Sequence, residues 1–305
     1  MDQTFLRDIR ATATLLDAPF SETATRQVLT AYADRFADDT VIWKTTEKPD
    51  SGLVYRFYSR TQHDTLTTAL RHRLIPAETD TTRFLRHLAH WRGSSATFSC
   101  DFDAHDGLAK TYVFLAATTP AEALWAEPFT PTSLTQHRQL FHTAGLTYLR
   151  FIALDHPTDN LNLYFRAAGP ITEAQYTALL HLPGAQRPKP EVFRDIAAFL
   201  PQDFTVAVTL AQGRIARTGL YAPGLPQTSW PALPQRLHRF LTDAPSLDTP
   251  STHVAAWSFG TGKGTYMKAE KSYRGDFAAL LRDWTHTSRS RQTDPVLLHQ
   301  GHSTS

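Results

Sequence analysis

The sequence predicts an α+β protein: a closed antiparallel barrel of about ten strands, made from repeated αββα units with helices as an outer ring. Three observations lead there. Strand-like runs occur in pairs joined by short turns rich in Gly, Pro and Asp. Stretches of helical period separate each pair from the next. The pairs recur at intervals of roughly 50 to 56 residues, a repeat of structure rather than of sequence. A parallel α/β barrel would alternate one strand with one helix, whereas strands joined by tight turns must run antiparallel.

The elements follow in order. Helical periodicity covers Phe5 to Leu16 and Ser21 to Phe36, the second opened by Ser21 as an N-cap with Glu22 in its first turn. VIWKTTE and GLVYRFYS then flank KPDSG, whose Pro and Gly supply the bend. Helices are expected at Asp64 to Leu74 and Thr81 to Trp91, ahead of strands at Ala96 to Asp103 and Ala109 to Ala116 around AHDG. A helix over Thr132 to Ala144 precedes LTYLRFIALD and NLNLYFRA, which flank HPTD. Helices at Thr172 to Leu182 and Pro190 to Leu200 lead to FTVAVTLA and RIARTGLYA, joined by QG. A helix at Leu233 to Leu241 precedes THVAAWSFG and TYMKAEKSY around TGKG, and Asp276 to Trp284 is the last helix. Residues 1–285 read as one barrel, and the polar segment 286–305 as a flexible tail with little apolar surface to offset ordering entropy.

One face of these strands is unusual. Lys110, Tyr112 and Phe114 alternate along one run, Asn162, Tyr164 and Arg166 along another, Arg217 and Tyr221 along a third, and Tyr266, Lys268 and Glu270 along a fourth. Lys44 and Arg56 stand on either side of the first turn. Alternate side chains share a face. About eight strands leave just enough interior for side chains or one small ligand, so about ten leave a lumen for two reactants. Cations and tyrosines lining it would hold a polyanion beside aromatic surface.

Composition narrows the class. Of 305 residues, 41% are apolar and 20% charged, and no apolar run is long enough to span a bilayer. The net charge of +2 and scattered histidines indicate neither a nucleic-acid surface nor a pH switch. MDQTFLRDIR is unlike a secretory leader, and Cys100, the only cysteine, forms no internal disulfide. A cytoplasmic protein with no membrane or nucleic-acid partner is expected.

Several stretches carry a family likeness: IRATA from Ile9, IWKTTEKPDSGLVYRFYSR from Ile42, DFDAHDGLAKTY from Asp101, LRF from Leu149, NLYFR from Asn162 and WSFGTGKGTYMKAEKSY from Trp257. In order, and over nearly the whole chain, they resemble the aromatic prenyltransferases of the αββα-barrel (PT-barrel) family. The likeness is strongest to the actinomycete enzymes that dimethylallylate 4-hydroxyphenylpyruvate for aminocoumarin antibiotics. The resemblance implies transfer of a dimethylallyl group from its diphosphate to an aromatic acceptor in secondary metabolism, by a chain that works as a monomer. Lys44, Arg56, Lys110, Asn162, Tyr164, Arg166, Arg217, Tyr221 and Lys268 match the family's diphosphate contacts. Relatives that use magnesium carry aspartate where Arg56 stands, and lysine and tyrosine where Thr158 and Ala207 stand. The departure at Arg56 implies catalysis without a metal or other cofactor, the prenyl diphosphate being a cosubstrate.

Fixed cations can stabilise a departing diphosphate, and aromatic faces can shield the allylic cation left behind. Glu270, on the face of Lys268, is positioned to accept a hydrogen bond from an acceptor phenol or ring NH. Arg150 is positioned to hold an acceptor carboxylate. Lys110 and Glu270 are the candidates to act on the reacting groups. The acceptor class stays open among 4-hydroxyphenylpyruvate, tyrosine-like phenols, phenazines, naphthalenes and indoles. A noncatalytic barrel carrying aromatic or isoprenoid ligands is the rival reading, but it has no need of converging cations.

Other clusters have plainer readings. Asp101, Asp103 and Asp106 surround a turn and suit backbone bonding. Asp38 and Asp39 read as a solvated pair at a helix end. GTGKG lacks phosphate-loop spacing and reads as a hairpin turn. His87 and His90 share a helix face without a third metal ligand. Ala207 and Gly219, being small, are expected to widen the lumen.

Overall fold

Alternation of an apolar face with a mixed one closes the sheet of this chain into a cylinder. A computed structural model describes residues 3–59, 61–225, 229–262 and 264–286. The strands are β1 (Thr40–Thr46), β2 (Val54–Tyr58), β3 (Thr97–Asp103), β4 (Gly107–Pro120), β5 (Tyr148–Asp155), β6 (Asn160–Ala167), β7 (Phe204–Ala211), β8 (Arg214–Leu225), β9 (His253–Gly260) and β10 (Thr265–Arg274). Each pairs antiparallel with its neighbours in sequence, and β1 with β10 closes the barrel. The hairpin turns therefore share one rim, and the longer connections carrying the helices share the other.

Before the first hairpin lie α1 (Gln3–Leu15), α2 (Glu22–Ala31) and α3 (Ala33–Asp38). Before the second lie α4 (Thr65–Arg71) and α5 (Asp80–Arg92). Before the third lie α6 (Ala121–Trp125), α7 (Thr132–Thr135) and α8 (Arg138–Thr143). The fourth follows α9 (Glu173–His181) and α10 (Pro190–Phe199), the fifth follows α11 (Gln235–Asp243), and α12 (Phe277–His286) comes last. None is long and apolar enough to cross a membrane.

The outward strand face meets the helices in a dry layer. Trp43, Tyr55, Phe57, Phe102 and Tyr273 bury their rings against Phe5 of α1, Tyr32 and Phe36. Phe5 stacks on Trp43 at 5.4 Å between centroids. Such packing orients α1, whose apolar residues Phe5, Leu6, Ile9 and Ala13 form one stripe. Tyr273 then donates to Asp8 Oδ2 at 2.9 Å, tying β10 to α1 inside that layer.

Three departures from the sequence reading have local causes. The helix expected from Ser21 to Phe36 breaks at Tyr32, whose φ is −121° and whose hydroxyl donates to the Thr65 carbonyl at 2.8 Å. Tertiary anchoring overrides helical propensity there. The Thr132 to Ala144 helix breaks around His137, where Gln136 Nε2 donates to the Gly213 carbonyl at 2.8 Å and the His137 ring bonds the same oxygen. α12 is not part of the outer ring. Its Phe277, Leu280 and Leu281 join Tyr58, Phe114, Phe151 and Val254 inside the barrel, so the helix plugs the rim opposite the hairpin turns. The tail expected from residue 286 falls, apart from His286, outside the described residues.

Of TGKG, Thr261, Gly262 and Gly264 lie between β9 and β10, the two glycines at φ +67° and +65°, and Lys263 lies outside the described residues. A side chain at either position would be strained. Replacing Tyr273 with Phe should cost about 1.5 to 3 kcal/mol, because it strips a hydrogen bond from a buried carboxylate. A urea midpoint shift at unchanged slope measures it.

Candidate active site

The strand registers put the mixed face inward. Lys44 pairs across with Glu270, Arg56 with Asp101, Asp101 with Lys110, Asn162 with Thr209 and Thr209 with Arg217. Lys268 faces Ala256 and Thr46, and Tyr221 faces Thr205 and Ala256. Lys44, Arg56, Lys110, Arg217 and Lys268 thus line one lumen and outnumber its carboxylates Asp101, Asp155 and Glu270. Burial first, then the fields of Arg217, Lys44 and Lys110, hold the Lys268 pKa well below the usual lysine value.

Their partners differ. Lys110 forms an ion pair with Asp155 at 2.9 Å, and Lys44 with Asp101 at 3.0 Å. Arg217 donates to the Tyr266 hydroxyl at 3.0 Å and to Thr209 Oγ1 at 3.1 Å, both neutral groups. Lys268 faces the rings of Tyr221 and Tyr266 and, among the described residues, has no carboxylate within ion-pair distance. Thr209 in turn donates to Asn162 Oδ1, leaving the buried Asn162 Nδ2 without an acceptor among the described residues. Ser258 Oγ, on the same inner face, is likewise buried without a partner. An anion would satisfy this set of uncompensated charges and donors.

Asp101 departs from its expected role. Asp103 does bond the turn, accepting from the amides of His105 and Asp106 at 2.8 and 3.2 Å. Asp101, by contrast, is 1% exposed inside the lumen. It accepts from Arg56 Nε, from Arg56 Nη2 and Lys44 Nζ at 3.0 Å each, and from the Tyr112 hydroxyl at 2.8 Å. Burial opposes its charge, but Arg56 and then Lys44 outweigh that and hold the carboxyl far below the ordinary range. Asp39 is also not solvated. It is buried against Arg35, and desolvation pushes its carboxyl up to about 6.

Toward the plugged rim the lumen becomes aromatic. Tyr164 stacks on Phe151 with centroids 4.2 Å apart, Phe151 lies 4.5 Å from Phe114, and Tyr112 and Tyr221 flank Tyr164 at 6.0 and 6.1 Å. Tyr58 stacks on Phe277 of the plug. A cavity lies here between Arg150, Phe151, Tyr164, Tyr221, Glu270 and Phe277. Gly219 does not widen it. An added Cβ there would meet the Tyr221 ring at 3.3 Å, so the missing side chain seats that ring.

Arg166 does not join the cation group. Its Nε donates to Asp203 Oδ2 at 2.8 Å, and Asp203 lines the aromatic cavity with Arg150. Burial and then the Arg166 charge lower Arg150 to about 10. The separation follows from register: Arg166 lies two inward positions from Asn162 and faces Tyr148 and Thr205. Sequence reasoning missed Asp101, Tyr58, Phe151 and the plug. Row membership marked Asp101 as inward once its pairing with Arg56 was known, but no sequence signal aligned those two strands.

The carboxylate of Asp101, opposite Arg56, already accepts from Lys44, Arg56 and Tyr112. Among the described residues, no three His, Cys, Asp or Glu side chains converge, and His87 instead stacks on Phe129.

A closed lumen with cations at one end and an aromatic cavity at the other suits an anionic group held beside a planar one. Comparison with known proteins gives the family. Residues 2–285 match the aromatic prenyltransferase Orf2 family, and the chain belongs to it. It is 36% identical to an aromatic prenyltransferase of Sclerotinia sclerotiorum over 94% of this chain and 95% of that protein. It is 35% identical to the 4-hydroxyphenylpyruvate 3-dimethylallyltransferase of Streptomyces niveus over 95% of this chain and 91% of the other. A more distant relative, 27% identical over 87% of this chain and 91% of its own length, is the 5,10-dihydrophenazine-1-carboxylate 9-dimethylallyltransferase of Streptomyces anulatus.

Because Arg217 and Lys268 have no carboxylate partner among the described residues, Lys268→Met and Arg217→Met should each weaken inorganic diphosphate binding about tenfold or more. Lys110→Met should cost less, since Asp155 already offsets that charge. Titration calorimetry ranks them. Binding raises the Lys268 pKa, so protons are taken up and affinity falls as pH rises above the lowered value. Lys268→Met should flatten that component of the pH profile.

Proposed function

We propose that this prenyltransferase moves a dimethylallyl group from dimethylallyl diphosphate to a ring carbon of an electron-rich, carboxylate-bearing aromatic compound, without a metal. The observation that carries this reading is the adjacency of an under-neutralised cation cluster to a tyrosine-walled cavity ending at Arg150. Lys44, Lys110, Asn162, Tyr164, Arg217, Tyr221 and Lys268 hold the diphosphate. The allylic C–O bond breaks with its electron pair passing to that diphosphate. Preorganised donors in a desolvated site stabilise the growing charge. Tyr164 and Tyr221 flank the allylic cation, each contributing about 0.5 to 2 kcal/mol.

The acceptor ring supplies the electron pair of the new C–C bond, and loss of its ring proton restores aromaticity. Glu270, 5% exposed and on the wall of the aromatic cavity, accepts a hydrogen bond from the acceptor's phenol or ring NH. Arg150 takes the carboxylate. Acceptors named for the two streptomycete relatives, a phenylpyruvate and a phenazine carboxylate, both carry one. The α12 plug keeps water from trapping the cation as an alcohol. All these groups come from one barrel, which supports a monomer. The lone buried Cys100 thiol suits a reducing cytoplasm.

Incubation with dimethylallyl diphosphate, an acceptor panel and excess EDTA tests the reading. One prenyl unit added to a carboxylate-bearing ring, with diphosphate released, supports it; binding without turnover across the panel makes the barrel a carrier. Glu270→Gln should lower kcat at least tenfold while sparing diphosphate affinity, and unchanged turnover removes Glu270 from the chemistry.

A further inference from the structure

Arg56 matches a diphosphate contact in sequence, but its guanidinium is already spoken for. Nε and Nη2 engage both oxygens of Asp101, Nη2 also donates to the Tyr112 hydroxyl at 2.7 Å, and Nη1 donates to the Tyr58 hydroxyl at 2.5 Å. All but one of its N–H donors are therefore used. The remaining one is on Nη1, which lies 3.7 Å from Glu270 Oε1. The guanidinium carbon sits 4.6 Å from the Tyr112 ring centroid and 5.2 Å from that of Tyr58. Arg56 is 5% exposed, so it cannot swing out of this cage without breaking a buried ion pair.

We infer that Asp101 is a positioning residue for the transfer reaction: it withdraws the Arg56 fork from the diphosphate and fixes its charge on the acceptor side, against Glu270. The inference deepens the transfer reading above and rests on it. Lys44 differs from Arg56 here, because an ammonium bonded once to Asp101 keeps further donors for an anion. Arg56 then acts in two ways. It holds the buried Glu270 carboxyl in place beside the acceptor, 3.7 Å from Nη1. Through Tyr58, whose ring stacks on Phe277, it also sets the wall against which α12 closes. The carboxylate of Asp101 remains ionised throughout, because Arg56 and Lys44 hold its pKa far below neutrality. Asp101 therefore works by position and takes no proton.

The test separates donor binding from turnover. Inorganic diphosphate is titrated calorimetrically into the parent protein, Arg56→Met, Asp101→Asn and Lys268→Met; kcat and both KM values are measured with dimethylallyl diphosphate and the best acceptor. Arg56→Met should lose less diphosphate affinity than Lys268→Met, and Asp101→Asn should bind diphosphate at least as tightly as the parent. Both Arg56→Met and Asp101→Asn should lose at least tenfold in kcat with donor KM within about threefold of the parent. The double variant should be no slower than Arg56→Met alone, since Asp101 acts through Arg56. A diphosphate loss in Arg56→Met equal to that of Lys268→Met, or an unchanged kcat in Asp101→Asn, overturns the inference. If Asp101→Asn does not fold, the Arg56→Met comparison decides alone. The binding arm needs no turnover, so it reads the place of Arg56 even if the transfer reading fails.

Discussion

Burying like charges inside a protein is unfavourable, and the architecture of this chain is organised around keeping several of them there. Lys44, Arg56, Lys110, Arg217 and Lys268 converge on one lumen because antiparallel alternation gives every strand an inner face. Their repulsion is reduced by Asp101 and Asp155, which neutralise the group only in part. Compensation is least at Arg217 and Lys268, whose partners among the described residues are neutral. A ligand carrying several negative charges complements such a lumen.

The outer helices make this possible. A barrel whose inner face is polar cannot obtain its stability from that face, so the apolar layer lies outside, between strands and helices. Phe5, Tyr32, Phe36, Trp43, Phe57 and Phe102 form one aromatic section of it. The interior is thereby released from the packing role and can carry catalytic groups. α12 reverses the rule, turning Phe277, Leu280 and Leu281 inward against the aromatic end of the lumen.

Strand pairing, turn positions and the inner rows were legible because period-two alternation and Gly-Pro-Asp turns are local signals. Where several strands meet, local signals stop. Arg166 shares a row with Asn162 and Tyr164, yet register carries it to the other end of the lumen, beside Asp203. Asp101 looked like a turn residue because Asp103 and Asp106 are; only the β2–β3 register set it opposite Arg56. The inward turn of α12 was illegible for a similar reason, since an amphipathic helix packs as readily into a barrel mouth as onto its side.

On the proposed reading, Lys44, Lys110, Arg217 and Lys268 gather on one diphosphate with the prenyl chain pointing at the tyrosine wall. A cocrystal with an unreactive dimethylallyl thiolodiphosphate tests it most directly. Phosphate oxygens are expected within hydrogen-bond distance of Arg217 and Lys268, with the alkyl tail between Tyr164 and Tyr221. Phosphate density at Arg150 and Arg166, or on the outer wall of the barrel, would contradict it.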